Sequence, residues 1–249
     1  MRLFVVSDLH ILGVDDPLYI PLVSLLKEKA QAGDTVVLAG DLFDLFVGNK
    51  RVFRERYASF LEAVRGAGER GVRIHYIEGN HDFLIRPVFT GVQGLTIHSH
   101  DVSVEIGGRR FYFGHGDTVD RSDYPYRVLR FFFRSPLMKA LVYALPGKWI
   151  DRIGKSSSSY SRQKKPLLPK DLPIARMERL RCAYRSFAAE KLAHGYDFVV
   201  LGHSHDLDEM TFQVGGKAGQ YINVGYPRAH GSILIWTPED EKISREPFQ

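Results

Sequence analysis

Asp8-Leu9-His10, Gly40-Asp41, Gly79-Asn80-His81-Asp82, Gly114-His115 and Gly202-His203-Ser204-His205 are the places in this 249-residue chain where side chains able to do chemistry cluster. Asp, Asn and His offer hard oxygen and borderline nitrogen ligands. No cysteine stands among them, so the set favours Mn2+, Fe2+ or Zn2+ over a thiolate structural site. Asp8, His10, Asp41, Asn80, His115, His203 and His205 make seven candidate ligands, too many for one ion. They suit two ions sharing a carboxylate, roughly 3.5–4 Å apart, a spacing that clamps a phosphoryl group for in-line attack. The glycines ahead of Asp41, Asn80, His115 and His203 are expected to let the backbone turn sharply. Any one of the ten histidines taken singly is ordinary; the order and spacing of the blocks carry the argument.

The fold must deliver these blocks to one place. Each follows a run with strand character: Arg2–Val6, Thr35–Ala39, Arg73–Ile77, Arg110–Phe113 and Phe198–Leu201. Short apolar runs of this kind read as strands buried on both faces, and strands ending in ligands gather them at one sheet edge. Tyr19–Gln31 is predicted to be a helix with Leu22, Leu25 and Leu26 inward, ended by Gly33-Asp34. Arg51–Arg70 is a second, with Phe53, Tyr57, Phe60, Leu61 and Val64 as its stripe. Beyond Gly91 come short strands at Leu95–His98, Val102–Ile106 and Arg110–Phe113, with Gly107-Gly108 as a hairpin turn. Val128–Leu145 reads as helix broken at Pro136. Pro146-Gly147 and Ser156–Ser159 read as turns or a flexible stretch, and Pro166, Pro169 and Pro173 as an extended return. A long helix over Ile174–Ala193 leads into the last ligand-bearing strand. Glu209–Val214, Gln220–Val224, Ser232–Trp236 and Lys242–Arg245 complete the pattern. The expectation is an α/β fold, one domain over 1–249 with a helical insertion at about 120–170.

At 44% hydrophobic and 25% charged, the composition is that of a folded globular chain. The single cysteine, Cys182, excludes an intrachain disulfide and suits a reducing compartment. Leu3–Val6 is too short for the apolar region of a signal peptide, and no apolar run reaches the ~20 residues of a membrane span. A cytosolic location is expected. The net charge of +5 is uneven: Arg121 to Lys170 hold twelve bases against two acids, Asp123 and Asp151, a local +10 that leaves the remainder at −5. The same segment sets Phe131, Phe132, Phe133, Leu137, Leu141 and Val142 amid Arg127, Arg130, Arg134 and Lys139. That mixture suits acyl chains beside phosphates, or an anionic lipid surface. The competing account is that the aromatics only pack the insertion onto the core. Nucleic-acid grooves interleave single aromatics with bases, so no nucleic-acid partner is expected.

Asp-x-His, Gly-Asp-x-x-Asp, Gly-Asn-His-Asp, Gly-His and Gly-His-x-His, in this order from Asp8 to His205, resemble the calcineurin-like metallophosphoesterases. The resemblance implies a four-layer α-β-β-α sandwich of two mixed sheets with a helical cap insertion. It implies that Asp8, His10, Asp41 and His205 hold one ion and that Asp41, Asn80, His115 and His203 hold the other, with Asp41 bridging. It implies a catalytic His81, which stabilises the transition state or protonates the leaving oxygen, and an Asp44 that hydrogen-bonds His81 and sets its tautomer.

A nearer resemblance starts at His115-Gly116-Asp117-Thr118 and runs through Asp123, Tyr126 and Arg130. With Gly40-Asp41-Leu42-Phe43, Asp82-Phe83-Leu84, Leu145-Pro146 and Gly231-Ser232, it looks like the UDP-2,3-diacylglucosamine pyrophosphohydrolases of lipid A biosynthesis. That family implies hydrolysis of the pyrophosphate link to UMP and a diacylated glucosamine 1-phosphate, with two divalent ions, Mn2+ ahead of Fe2+ or Zn2+. It implies an enzyme peripheral on the cytoplasmic face of the inner membrane, in contact with anionic lipid, with no obligate protein partner inferred. Its substrate contacts are expected at Asn80, Asp123, Tyr126, Arg130 and His203, with Ser161, Arg162 and Lys165 as substitutes for a family arginine. His81 departs from the arginine many members carry, and serines occupy Ser156–Ser159 where the family tends to place an arginine. Two other readings stand beside it: a soluble phosphodiesterase acting on nucleotides or nucleic acid, and a non-catalytic interaction module of the same fold.

Overall fold

A computed structural model describes residues 1–164 and 171–249, with the side chains of 155 and 157–164 left undescribed. The strands are β1 (Leu3–Val6), β2 (Thr35–Leu38), β3 (Phe46–Val47), β4 (Arg73–Ile77), β5 (Asp82–Phe83), β6 (Leu95–His98), β7 (Val102–Ile106), β8 (Arg109–Gly114), β9 (Phe198–Leu201), β10 (Glu209–Val214), β11 (Lys217–Asn223), β12 (Ser232–Trp236) and β13 (Ser244–Pro247). The helices are α1 (Tyr19–Ser24), α2 (Arg51–Arg56), α3 (Ala58–Glu69), α4 (Tyr124–Phe133), α5 (Pro136–Ala144), α6 (Gly147–Lys164), α7 (Ile174–Ala193) and α8 (Pro227–His230).

Six strands form one sheet in the order β13-β12-β1-β2-β4-β6, and five form a second in the order β10-β11-β9-β8-β7. Each sheet is mixed: β1, β2, β4 and β6 run parallel, as do β8, β9 and β11, while antiparallel strands flank them. The alternation of side chains along β1 shows how the layers form. Leu3 and Val5 join Val37, Ile77, Phe111, Phe113, Val200 and Trp236 in a core between the sheets. Phe4 and Val6 face the other way, into a core shared with helices α1 to α3 through Leu22, Phe53, Phe60 and Val64. On the far side of the second sheet, Tyr184, Ala188 and Leu192 of α7 cover Val199, Leu201 and Tyr221. The result is the expected four-layer α-β-β-α sandwich.

Parallel strands end at the same edge, and the register is level there. Val6 pairs with Leu38, Leu38 with Tyr76, and Gly114 with Leu201. The blocks at Asp8, Asp41, Asn80, His115 and His203 therefore leave the sheets side by side, in the manner of ligand sites at the carboxyl ends of open α/β sheets.

Several elements differ from the sequence expectation. The first helix does not run evenly to Gln31: its last turn, Leu25–Lys29, is widened, with the Ala30 amide bonding the Leu25 carbonyl at 2.9 Å. The second is broken at Tyr57 (φ −110°, ψ 29°), whose ring lies 4.1 Å from that of Phe43. The serine run is not a turn, since the backbone of Ser156–Ser159 lies inside α6. Serine is only a middling helix former, but extending a formed helix is easy once its first turns are anchored. Here Arg56 grips Asp151 through two hydrogen bonds of 2.8 and 2.7 Å, and Ile150 packs on the main core. The insertion's first helix starts at Tyr124 rather than Val128, because Asp123 caps it by accepting from the Tyr126 amide at 3.0 Å. Pro136 does separate two helices, and Ser135 caps the second. Lys165, Pro166, Pro169 and Lys170 lie outside the described residues.

Candidate metal centre

The ligand-bearing loops continue the strand pairing for a few residues beyond the sheets. Asp8, His10 and Ile11 donate their amides to the carbonyls of Gly40, Asp41 and Leu42, and the Gly202 amide reaches the His115 carbonyl at 3.0 Å. A short parallel pair, β3 with β5, lays residues 46–47 beside 82–83. That pairing is why Asp44 and His81 meet.

Glycines were expected to provide the turns, and only Gly40 does so, at φ +87°. Asp8, His10, Asp41, His203 and His205 themselves adopt positive φ, between 46° and 65°. Asp and His tolerate this left-handed region better than most residues, at a cost of about 1–3 kcal/mol each. The glycines at 79 and 202 answer crowding instead. A Cβ on Gly79 would fall against Asp41 Oδ1, and one on Gly202 against Asp8 Oδ2.

Asp41, 1% exposed, sits at the middle. Its Oδ1 accepts from the amides of Asn80 (2.8 Å) and His81 (2.9 Å). Its Oδ2 faces His115 Nε2 at 3.4 Å and His10 Nε2 at 3.9 Å. Around it, His10 Nε2 and His205 Nε2 are 3.2 Å apart, His115 Nε2 and Asn80 Oδ1 3.1 Å, and His115 Nε2 and His203 Nδ1 3.2 Å. Asp8, His10 and His205 form one set of ligand atoms within 4.8 Å of one another, and Asp41, His115 and His203 form a second. All seven ligands expected from the sequence are brought together.

These residues fit divalent cations. Metal–nitrogen bonds of about 2.1 Å place neighbouring ligand atoms roughly 3.0–3.4 Å apart at tetrahedral to octahedral angles, which covers the edges above except the wider 3.9 Å between Asp41 and His10. Asp8 Oδ1 is buried with no hydrogen-bond partner, 3.5 Å from His205 Nε2, while Oδ2 accepts from the His203 amide at 2.9 Å. A buried carboxylate oxygen left in that condition is costly unless a cation meets it. His115 Nδ1 faces the Ala39 carbonyl at 3.0 Å; a carbonyl only accepts, so Nδ1 carries the proton and Nε2 points to the centre.

The electrostatics keep two of the histidines neutral. Burial, outweighing the attraction of Asp41, pulls His10 down to about 3. Burial and the charge of His115 pull His203 to about 4, so both rings stay neutral and ready to coordinate. Burial works against charge on His115, yet Asp41 holds its pKa well above the usual value. Burial alone would raise Asp41, but His115 leads the groups that hold it well below the carboxylate range.

His81 stands beside this centre, its ring 4.9 Å from that of His10. Asp44 does contact it, but through the backbone: His81 Nδ1 donates to the Asp44 carbonyl at 2.9 Å. The tautomer is thus set by a main-chain acceptor, and the β3–β5 pairing, through the Phe46 amide on the His81 carbonyl (2.9 Å), holds that acceptor in place. The Asp44 carboxylate comes within 4.8 Å of His10 and His81 ligand atoms.

Residues 1–207 match the family model described as calcineurin-like phosphoesterase. The chain belongs to the calcineurin-like phosphoesterases. Members are metal-dependent hydrolases, and the fold and ligand clusters imply divalent ions here. Among relatives, the chain is 30% identical to the UDP-2,3-diacylglucosamine hydrolase of Nitrosococcus oceani, over 96% of this chain and 92% of that one. It is 30% identical to the protein of that name from Neisseria meningitidis serogroup C (88% and 96%) and 25% to that from Aeromonas salmonicida (98% and 93%).

The phosphoesterase site carries residues that the motifs left without a role. Asp82, fully buried, accepts from the amides of Asp41 (2.9 Å), Leu42 (2.8 Å) and Gly79 (2.9 Å) and from the Tyr76 hydroxyl (2.7 Å). It staples the Asp41 loop to the Asn80 loop. Burial first, then the Asp41 charge, pushes its carboxyl up to about 7, against these donors. Asp117, two residues beyond His115, accepts from Tyr126 Oη at 2.8 Å and pairs with Arg130. Of the residues expected to touch substrate, Asn80 and His203 are in the centre, Asp123 is a helix cap, and Tyr126 and Arg130 converge on Asp117. Ser161, Arg162 and Lys165 lie outside the residues whose side chains are described.

Asp82→Asn turns one acceptor into an NH2 facing donors. It is expected to cost about 1–3 kcal/mol in a chelator-treated melt and to weaken metal retention; a melt and metal content equal to wild type would refute the staple. The chelated protein is also expected to lose stability as pH falls from 6.5 towards 4. His10 (about 3), His203 (about 4) and His75 (about 4, lowered by burial) resist protonation when folded but take protons when unfolded. Each contributes up to about 1.4 kcal/mol per pH unit across that window, and Asp82, whose folded pKa of about 7 lies above its unfolded value, offsets one of the three. A melting temperature flat between pH 6.5 and 4.5 would contradict the assignment.

Proposed function

We propose that this phosphoesterase hydrolyses the pyrophosphate bond of UDP-2,3-diacylglucosamine to UMP and 2,3-diacylglucosamine 1-phosphate at a membrane surface. Asp8, His10, Asp41 and His205 hold one divalent ion, and Asp41, Asn80, His115 and His203 hold the other, with Mn2+ the ion of choice. The ions supply Lewis-acid stabilisation of phosphoryl oxygens and lower the pKa of water. His81, proton on Nδ1 and Nε2 free of the Asp44 carbonyl, stabilises charge on the transferring phosphoryl group or moves a proton to the leaving oxygen.

The observation that carries the lipid assignment is the insertion's helix α4, which buries no residue yet is tied to the metal loops. Tyr126 and Arg130 reach Asp117, and Arg134 donates to the carbonyls of Glu78 (3.2 Å) and Gly79 (3.4 Å), next to Asn80. On α4 and the helices after it, Val128, Phe131, Leu137, Trp149 and Ile153 are all more than half exposed, at 58–80%. Phe133, Met138, Val142 and Ile150 meet the main core instead. An apolar face of this extent, with Arg127, Lys139, Lys148 and Arg152 exposed among it, suits acyl chains and anionic lipid. The relatives named UDP-2,3-diacylglucosamine hydrolase support the head group. Among the described residues no helix is long and apolar enough to cross a membrane, so contact would be peripheral.

Purified protein with Mn2+ is expected to release UMP from the diacylated substrate in detergent, faster than it cleaves a water-soluble chromogenic diester. Cleavage of the soluble diester without UMP release would favour the soluble phosphodiesterase reading, and turnover of neither would favour the non-catalytic one. His81→Ala is expected to lower UMP release by roughly 10²–10⁴-fold while both ions are retained. Unchanged turnover would remove His81 from the chemistry.

A further inference from the structure

The loop that follows β11 carries none of the ligand motifs, yet it touches one half of the metal centre at several points. Tyr226 lies flat on the His205 imidazole, with ring centroids 4.5 Å apart and planes within 7°. The same phenol ring meets His10 edge-on at 6.0 Å. One side chain therefore orients both imidazoles whose Nε2 atoms face each other at 3.2 Å. Arg228 holds the backbone beneath them: its Nη2 donates to the carbonyls of Leu9 and His10, each at 3.2 Å, and to Asp16 at 2.7 Å. Asn223, fully buried, donates to the Gly202 carbonyl (3.1 Å) and Ser204 Oγ (2.9 Å), tying this loop to the block that carries His205.

His10 and His205 both need such support, because both sit at positive φ (46° and 57°), where the backbone does not stay unaided. His115 and His203 draw theirs from elsewhere. His115 is oriented by the Ala39 carbonyl, and His203 has the Tyr126 ring at 5.4 Å. Each half of the centre thus has its own tyrosine, one from the insertion and one from the loop after β11.

We infer that Tyr226 and Arg228 are positioning residues dedicated to the ion held by Asp8, His10, Asp41 and His205, setting its affinity independently of the second ion. The inference rests on the two-ion assignment proposed above. Residues that orient metal ligands typically change affinity 10–100-fold when removed. Metal binding by the full-length, chelator-stripped protein, titrated with Mn2+ and followed by electron paramagnetic resonance and metal analysis, tests it without substrate. Wild type is expected to take up two ions; if it does not, the two-ion assignment fails, whatever the variants do. Tyr226→Leu removes the ring face and is expected to weaken one binding step by roughly 10–100-fold while leaving the other, whereas Tyr226→Phe keeps both. Arg228→Met reaches the same site without touching the stack and is expected to weaken the same step, which keeps the test decisive if Tyr226→Leu folds poorly. Two wild-type steps in Arg228→Met and in a folded Tyr226→Leu would overturn the inference. So would an equal weakening of both steps that tracks a lowered melting temperature of the metal-free protein.

Discussion

Burying a carboxylate costs several kcal/mol unless donors and cations replace its water, and Asp41 is both buried and central. The arrangement around it divides the labour between its oxygens. Oδ1 is committed to the amides of Asn80 and His81, which fixes the loop carrying the next ligand. Oδ2 is left to face His10 on one side and His115 on the other. Rotating the carboxylate to improve one contact would break the amide pair, so the shared oxygen stays between the two ligand sets. Asp82 locks the same two loops from behind, taking four donors from the segments 41–42 and 76–79 and so tying Asp41 to the Asn80 loop.

The strain of the centre is the consequence. Convergence of short loops from parallel strands puts five of the candidate ligands into the left-handed region. At about 1–3 kcal/mol each, this is comparable to the whole net stability of a domain. It persists because the loops are paired to one another before they diverge and because the strands behind them are buried on both faces: β1, β2 and β9 have no exposed residue. A rigid sandwich is therefore a requirement of the chemistry and more than a support for it.

Much of this was legible beforehand, and what was not shares a physical cause. The convergence of the candidate ligands could be read because their types are chemically restrictive and each follows a run of buried apolar residues, a local pattern. The layers followed from the same runs. The role of the glycines was misplaced because the tightest crowding at Gly79 comes from Asp41, 38 positions earlier, a contact the local sequence does not reveal. The same holds for Asp44, whose carboxylate is the feature a motif records while its carbonyl makes the bond. The helix through Ser156–Ser159 was hidden because a contact near its start, Arg56 with Asp151, decides it, and serine propensity does not. Tyr226 and Arg228 had no motif at all: a stacked ring and a guanidinium on carbonyls need only proximity in space.

The insertion shows how one composition serves two surfaces. Its aromatic and aliphatic residues form a single dense block in the sequence, and either account of them, core or lipid, looked complete. Helical periodicity separates them. Phe133 turns in, 5.8 Å from the Phe83 ring, while Phe131 turns out at 80% exposure. Met138 and Val142 are buried, while Leu137 and Leu141 are exposed. Ile150 packs inward, while Trp149 and Ile153 do not. The inward set fixes the insertion against the sandwich, and Arg134 ties it to the Gly79 carbonyl beside the metal ligands. With that anchoring provided, the outward residues leave apolar surface that packing onto the sandwich does not bury, a burden on solubility. They stand among bases that give the segment a local +10, a mixture that packing onto the core does not account for.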